Sequence, residues 1–178
     1  AEKAWNFSLD ATVTPIEWLT FKVSVFDSEV YDLIVRELVA PDLYQLQNSS
    51  RARLAGTEAG VGFKFDGCNL DINMGYQYLF ARKLSNPYPA SQLEYRPEHK
   101  GRFSVAWKPL DMLGISSNLI VTGPRPYVHP ESGAWGSLPT SERWDVKIAG
   151  DPLKWLGLSL SVRNVIGANN VSEFGFPE

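Results

Sequence analysis

Apolar and polar residues alternate along most of this chain with a period of two. Trp5, Phe7, Leu9, Ala11 and Val13 stand between Asn6, Ser8, Asp10 and Thr12. Seven further stretches repeat the pattern, at 19–27, 57–65, 70–80, 102–108, 114–123, 143–149 and 156–163. Leu79, Ser117 and Ile120 break the rule locally. Counted over 5–13, 19–25, 58–65, 70–80, 102–108, 115–122, 143–149 and 156–163, 32 of 33 positions on one face are apolar, against 4 of 32 on the other. That bias predicts eight strands, each with one apolar and one polar face.

The connections carry a second regularity. They run 5, 29, 4, 21, 5, 19 and 6 residues, over 14–18, 28–56, 66–69, 81–101, 109–113, 124–142 and 150–155. Short and long alternate strictly. Three of the short ones share a pentapeptide of proline, aliphatic, charged, bulky apolar and leucine: Pro15 to Leu19, Pro109 to Leu113 and Pro152 to Leu156. A fourth, Asp66-Gly67-Cys68-Asn69-Leu70, uses an Asp-Gly turn signal. The repeat spacing of 43 to 51 residues also suits propeller blades or solenoid units. Sorting of loops by length decides against them. It predicts an all-β fold, an antiparallel meander with tight turns at one end and long loops at the other, as in a transmembrane β-barrel.

Composition narrows this further. The chain has 178 residues, a formal net charge of −3 and no basic excess of the kind that nucleic-acid binding needs. No apolar run approaches the ~18 residues of a membrane helix, so any crossing must be made by strands. Asp10, Lys22, Glu58, Lys64, Asp71, Arg102, Lys108, Asp145, Lys147 and Arg163 lie on the polar face within strands. Ten charges suit a watered lumen and argue against a lipid-binding barrel of lipocalin type, whose interior must be apolar. Trp18, Trp107, Trp144, Trp155, Tyr76, Tyr78 and Phe80 sit toward strand ends, where aromatic girdles mark a bilayer interface.

Catalytic chemistry finds no footing. His99 beside Glu98, and His129 two residues before Glu131, lack the spacing of a zinc site. No nucleophile elbow, phosphate loop or dinucleotide fingerprint occurs. Cys68, the single cysteine, excludes an internal disulfide and reads as an incidental turn thiol. No catalytic, metal or cofactor-binding residue is expected. Ligand contacts, if the chain makes any, are expected from the long connections: Asp42 to Ser50, Asn86-Pro87-Tyr88-Pro89 and Pro124-Arg125-Pro126-Tyr127.

Four stretches together resemble the C-terminal part of the barrel of TonB-dependent outer-membrane receptors. They are Glu2-Lys3-Ala4-Trp5-Asn6, Ala52 to Glu58, Tyr95-Arg96-Pro97-Glu98-His99-Lys100, and Leu158 to Val165. After Asn164-Val165 the run Ile166-Gly167-Ala168-Asn169-Asn170 departs from the "F-D-x-x-Y" usual in the family. The resemblance implies that residues 1–178 are one partial barrel domain of about eight strands, with short periplasmic turns and long extracellular loops. Both ends read as cuts: the plug domain, the TonB-contacting segment and the final strand are not in this sequence. It further implies an outer-membrane receptor for energised uptake of a scarce ligand, such as a siderophore or vitamin B12. Partners would be outer-membrane lipid, the plug, the rest of the barrel, the TonB complex and a small molecule of unknown identity. The alternative is a complete eight-stranded outer-membrane barrel with a structural or adhesive role. For the chain on its own, an open curved sheet is expected.

Overall fold

A computed structural model describes residues 3–40, 43–84, 91–129, 132–167, 171–173 and 176–177. Eight strands form the main path: β1 (Lys3–Ile16), β2 (Leu19–Ala40), β3 (Leu43–Phe65), β4 (Leu70–Lys83), β6 (His99–Leu110), β7 (Leu113–Thr122), β10 (Ser141–Leu153) and β11 (Leu156–Val162). Their order in the sheet is their order in the chain, and every neighbouring pair is antiparallel. β1 and β11 do not pair with each other, so the sheet is open, as the sequence predicts. The short strand β5 (Ser91–Gln92) adds to the end of β4. Two small hairpins stand apart: β8 (Arg125–Val128) with β9 (Trp135–Leu138), and β12 (Val171–Glu173) with β13 (Phe176–Pro177).

The repeated pentapeptide makes the same object three times. Its aliphatic residue pairs with its leucine, in Ile16↔Leu19, Leu110↔Leu113 and Leu153↔Leu156. Each turn is therefore only two residues long. In each hairpin the ladder skips once, between Val13 and Ile16, Trp107 and Leu110, and Gly150 and Leu153. Pro15, Pro109 and Pro152 lie in those gaps. A proline has no N–H to give to a ladder, so the irregularity falls where the sequence removes the donor. The fourth turn is a 3-10 turn, Asp66–Cys68, closed by Asn69 in the left-handed region at φ 49° and by its N–H to the Asp66 carbonyl. Asparagine tolerates that conformation better than most residues.

At the other end the structure corrects the expected loops. Residues 28–56 are not a 29-residue loop: β2 runs on to Ala40 and β3 starts at Leu43, with Ala40↔Leu43 the last rung. The stretch read as a ligand loop from Asp42 to Ser50 is thus strand from Leu43 onward. Beyond Tyr31 and Arg51 this hairpin outruns β1, whose first rung is Lys3↔Tyr31, and stands as a two-stranded ribbon. The connection at 124–142 contains the β8–β9 hairpin and the start of β10.

The sheet has almost no core of its own. Ala52, Ala81 and Leu138 are the buried apolar residues among those described. Large apolar side chains stand exposed instead, among them Trp5, Leu9, Val23, Met74, Leu158 and Leu160. Exposure on this scale across one sheet face has the chemistry of a surface made for lipid.

Candidate functional site

Register assigns every strand residue to a face. The apolar face runs in rows such as Val13–Phe21–Val61–Met74–Phe103–Leu119–Trp144. Near the tight turns an aromatic group closes this belt: Trp18 stacks on Phe63 at 6.3 Å and on Phe65 at 6.0 Å. Trp107 and Trp155 lie on the same side of the molecule, Trp155 being 79 % exposed. A second aromatic group closes the belt at the loop end. There the Tyr76 hydroxyl lies 2.6 Å from Nδ1 of His99, the His99 ring sits 5.5 Å from that of Tyr78, and Phe80 follows. His99 begins β6, so this loop residue of the sequence reading belongs to the girdle.

The belt has the height of a bilayer core. From Phe65 to Ala55, which pairs with Phe80, is ten residues. That is roughly 33 Å along a strand and about 25 Å vertically at the usual barrel tilt. At and just above that height the same face changes chemistry. Arg53 donates to Asp27 through Nε at 2.9 Å and Nη2 at 2.6 Å. Arg51 pairs with Glu29 and lies over the Tyr31 ring. Arg82 lies over Phe80, 4.8 Å from its centroid, and pairs with Glu98 at 2.7 Å.

The opposite face is polar over most of the height of the belt. Its rows read Asp10–Ser24–Glu58–Gln77–Lys100–Thr122–Ser141, then Lys22–Gly60–Gly75–Arg102–Ile120–Arg143. Below them run Thr20–Gly62–Asn73–Ser104–Asn118–Asp145 and Lys64–Asp71–Ala106–Ser116–Lys147–Ser161. All ten charges assigned to this face by alternation lie on it, and the structure adds Lys100, Arg143 and Asp151. Arg102 donates to Asn118 Oδ1 at 3.0 Å, and Gln77 to Glu58 at 2.8 Å. A shallow hollow of about 300 Å³ opens between Asn73, Arg102, Asn118, Asp145, Lys147 and Arg163. A second of similar size lies over Lys22, Gly60, Gly62 and Asp71.

Toward the loop end this face turns apolar, with Phe26, Leu54, Leu79 and Ala81 in adjoining rows, so Leu79 is the start of a patch. Segment 92–98 lies over it. The Leu93 N–H donates to the Ala81 carbonyl, and Tyr95 N–H to that of Pro126. Glu94 accepts from the Val128 N–H, while the Tyr95 and Tyr127 rings stack at 6.4 Å. Arg125, 6 % exposed, donates to the Ser141 hydroxyl. Glu98 also accepts from Gln92, and the guanidinium of Arg82 beside it holds its carboxyl below the usual carboxylate range, against the effect of burial.

The sequence candidates divide accordingly. Pro124 to Tyr127 reaches this cover and meets Tyr95. Asn86 to Pro89 lies outside the described residues. His129 sits at the turn of the β8–β9 hairpin, its N–H donating to the Ala134 carbonyl. Cys68 is exposed in its turn. Tyr95 and Arg125 as a joined pair of segments were not foreseeable, because nothing periodic links residues thirty apart. Among the described residues no three His, Cys, Asp or Glu side chains gather as a metal site would require.

Comparison with known proteins agrees with this geometry. The family described as TonB dependent receptor-like, beta-barrel matches residues 1–165. No curated protein matches the chain. Among solved structures, the ferric-catecholate import receptor Fiu of E. coli in its closed form superposes with a TM-score of 0.72 at 16 % identity, over 96 % of this chain and 24 % of Fiu. The FrpB iron transporter of Neisseria meningitidis gives 0.71 at 15 %, over 99 % of this chain and 28 % of its own. The copper transporter OprC gives 0.70 at 17 %, over 93 % and 25 %. The chain thus spans about a quarter of the length of the structures it matches. Belt, polar wall, loop sorting and family match converge: the chain belongs to the TonB-dependent receptor β-barrel family, outer-membrane proteins of Gram-negative bacteria that cross the bilayer with strands.

Proposed function

We propose that residues 1–178 are one stretch of barrel wall from a receptor that takes up a scarce ligand through the outer membrane. The receptor uses energy delivered by TonB and carries a plug in its lumen. The observation that carries this reading is the pairing of a mainly apolar lipid belt outside with a charged, watered wall inside, on a sheet with two free edges. A closed eight-stranded barrel would force thirteen charged side chains into an interior that such barrels fill with side chains. The open sheet therefore speaks against the structural or adhesive alternative. Wide barrels of twenty-two strands have room for that wall and hold a plug. Similar structures include a ferric-catecholate import receptor, an iron transporter and a copper transporter, which supports a siderophore or metal complex as the ligand class. No enzymatic activity is proposed.

The test is growth. A strain lacking the gene for the receptor that contains this chain is starved in turn for iron, copper and cobalamin, and offered a panel of chelates. Loss of growth on one ligand, restored by the gene only where TonB is active, is the expected result. Uptake independent of TonB would refute the proposal.

A further inference from the structure

The wall facing the lumen has a charge opposite to that of the chain. Between the Asp10 row and the tight turns it carries eight cations: Lys22, Lys64, Lys100, Arg102, Lys108, Arg143, Lys147 and Arg163. Five carboxylates accompany them, Asp10, Glu58, Asp71, Asp145 and Asp151. Eight against five is +3, in a chain whose total is −3, which leaves −6 for all other residues. The excess is concentrated in the row Lys22–Arg102–Arg143, which has no acid. Of the eight, Lys64 pairs with Asp66 and Arg143 with Asp145. Lys22, Lys100, Lys108, Lys147 and Arg163 form no ion pair among the described residues.

The same row is bare at its centre. Gly60 and Gly75 face each other across β3 and β4. Neither has a positive φ, and a Cβ added at Gly60 would meet nothing nearer than 3.5 Å, at Gly75 nothing nearer than 3.9 Å. The sheet itself does not need glycine there. Gly56, on the same face, is different: a Cβ would strike the Tyr78 carbonyl at 2.3 Å and the Phe26 ring at 2.7 Å. The bare backbone at Gly60 and Gly75 leaves room for something to approach the wall between Lys22 and Arg102.

We propose that this wall is the docking surface for an acidic face of the polypeptide that fills the lumen, with carboxylates set against Lys22, Arg102 and Arg143. The inference rests on the reading of the chain as wall of a plugged receptor, and adds the sign and the place of the contact. A filled lumen takes the wall out of bulk water, and a buried cation without a partner is costly. A passing solute leaves that cost standing between transport events; a resident domain removes it permanently.

The experiment uses the full-length receptor in outer membranes. Cys68→Ser removes the native thiol and Gly60→Cys places a reporter where a side chain fits. Labelling by a membrane-impermeant maleimide is timed against a cysteine at Gly67, in the tight turn where an added side chain meets nothing within 4 Å, as the open reference. Gly60→Cys should label at least tenfold more slowly than the reference. Adding Arg102→Glu with Arg143→Glu should restore most of the rate, and Arg102→Gln with Arg143→Gln should give an intermediate rate. Heat-modifiable mobility on a gel identifies folded barrel, and Arg102→Glu alone serves if the pair does not fold. A reporter that stays protected after reversal overturns the charge proposal and leaves the plugged-receptor reading intact. A reporter open in the parent refutes that reading, and the docking proposal with it. If that open reporter is slowed by added tripolyphosphate, the wall is instead a path for anionic solutes.

Discussion

Val61→Arg tests the whole assignment of faces and heights at one position. Val61 lies in the apolar row between Phe21 and Met74. It is four residues from Phe65, where the turn-side aromatics close the belt, and six from Ala55 at the other boundary. Four residues are roughly 13 Å of strand, or about 10 Å of height at the usual tilt, in a belt about 25 Å tall. The side chain therefore meets lipid close to the midplane, where arginine costs about 2–4 kcal/mol. Thr57, on the same face, stands about 20 Å up, near the boundary, where the cost falls to about 0–1 kcal/mol. Asn73→Arg, on the wall between Gly62 and Ser104, should cost little, since its side chain enters the lumen. The assay is folding of the full-length receptor into lipid vesicles across a urea series, with folded barrel read by gel mobility. Val61→Arg should lower the folded-to-unfolded ratio roughly thirty- to seven-hundred-fold, the range that 2–4 kcal/mol implies. Equal penalties at Val61 and Thr57 would refute the height assignment, and an equal penalty at Asn73 the facing.

Further outcomes follow from other parts of the sheet. Leu160→Arg, on the lipid face of β11 opposite Ile148, should impair insertion far more than Ser161→Arg, which pairs with Lys147 on the wall; an equal loss of outer-membrane receptor would contradict the register. Gly56→Ala should destabilise the barrel by about 1–3 kcal/mol through overpacking, while Gly60→Ala should be nearly silent, both read in the same urea series. Purified without detergent, the 178-residue chain should aggregate, and a monodisperse detergent-free monomer on a sizing column would count against the lipid belt. Glu98 has its carboxyl pKa lowered chiefly by Arg82, so its contribution is complete above the ordinary carboxylate pKa and is lost as pH falls through the lowered value. Protection of the Leu93 amide from hydrogen exchange should hold from neutral pH to the carboxylate range and fall below it; Glu98→Gln should flatten that dependence.

The spanning part of the fold was legible because its pattern is enforced at every residue. A one-residue slip would put Lys22 or Asp71 into lipid, so period two survives over the belt with few faults, at Leu79, Ser117 and Ile120. The ribbon at 28–56 was not legible by that rule. Above the belt lipid no longer enforces alternation, and Ile34-Val35, Arg36-Glu37 and Leu38-Val39 come in like pairs in the sequence. Asp32, at φ 57°, interrupts the ladder between Tyr31↔Arg51 and Leu33↔Ser49. A different signal was present: no glycine or proline occurs from Ser28 to Ala40, and Pro41 follows at once. Absence of breakers would have extended β2 where periodicity ended it. The cover over Ala81 was illegible for another reason. Its bonds join segments 92–98 and 125–128 through backbone groups, which the identity of the side chains does not announce.

Strand length and membrane thickness are separate quantities here, and the side chains tell them apart. A tilted strand needs about 9–11 residues to cross. β2 has 22 and β3 has 23. The ladder passes the boundary without a break in pairing, from Val25↔Thr57 through Asp27↔Ala55 to Glu29↔Arg53. What changes at the boundary is chemistry alone. Valine and phenylalanine give way on the outer face to Asp27, Glu29, Arg51 and Arg53, joined in ion pairs that a hydrocarbon surrounding would make costly and water leaves nearly neutral in energy. These four charges therefore fix the height at which the wall sits in the bilayer: raising it exposes the belt of Leu9, Val25 and Tyr78 to water, and lowering it drives two ion pairs into lipid. The ribbon beyond them continues the same backbone pairing, free of the lipid constraint that disciplines the rest of the sheet.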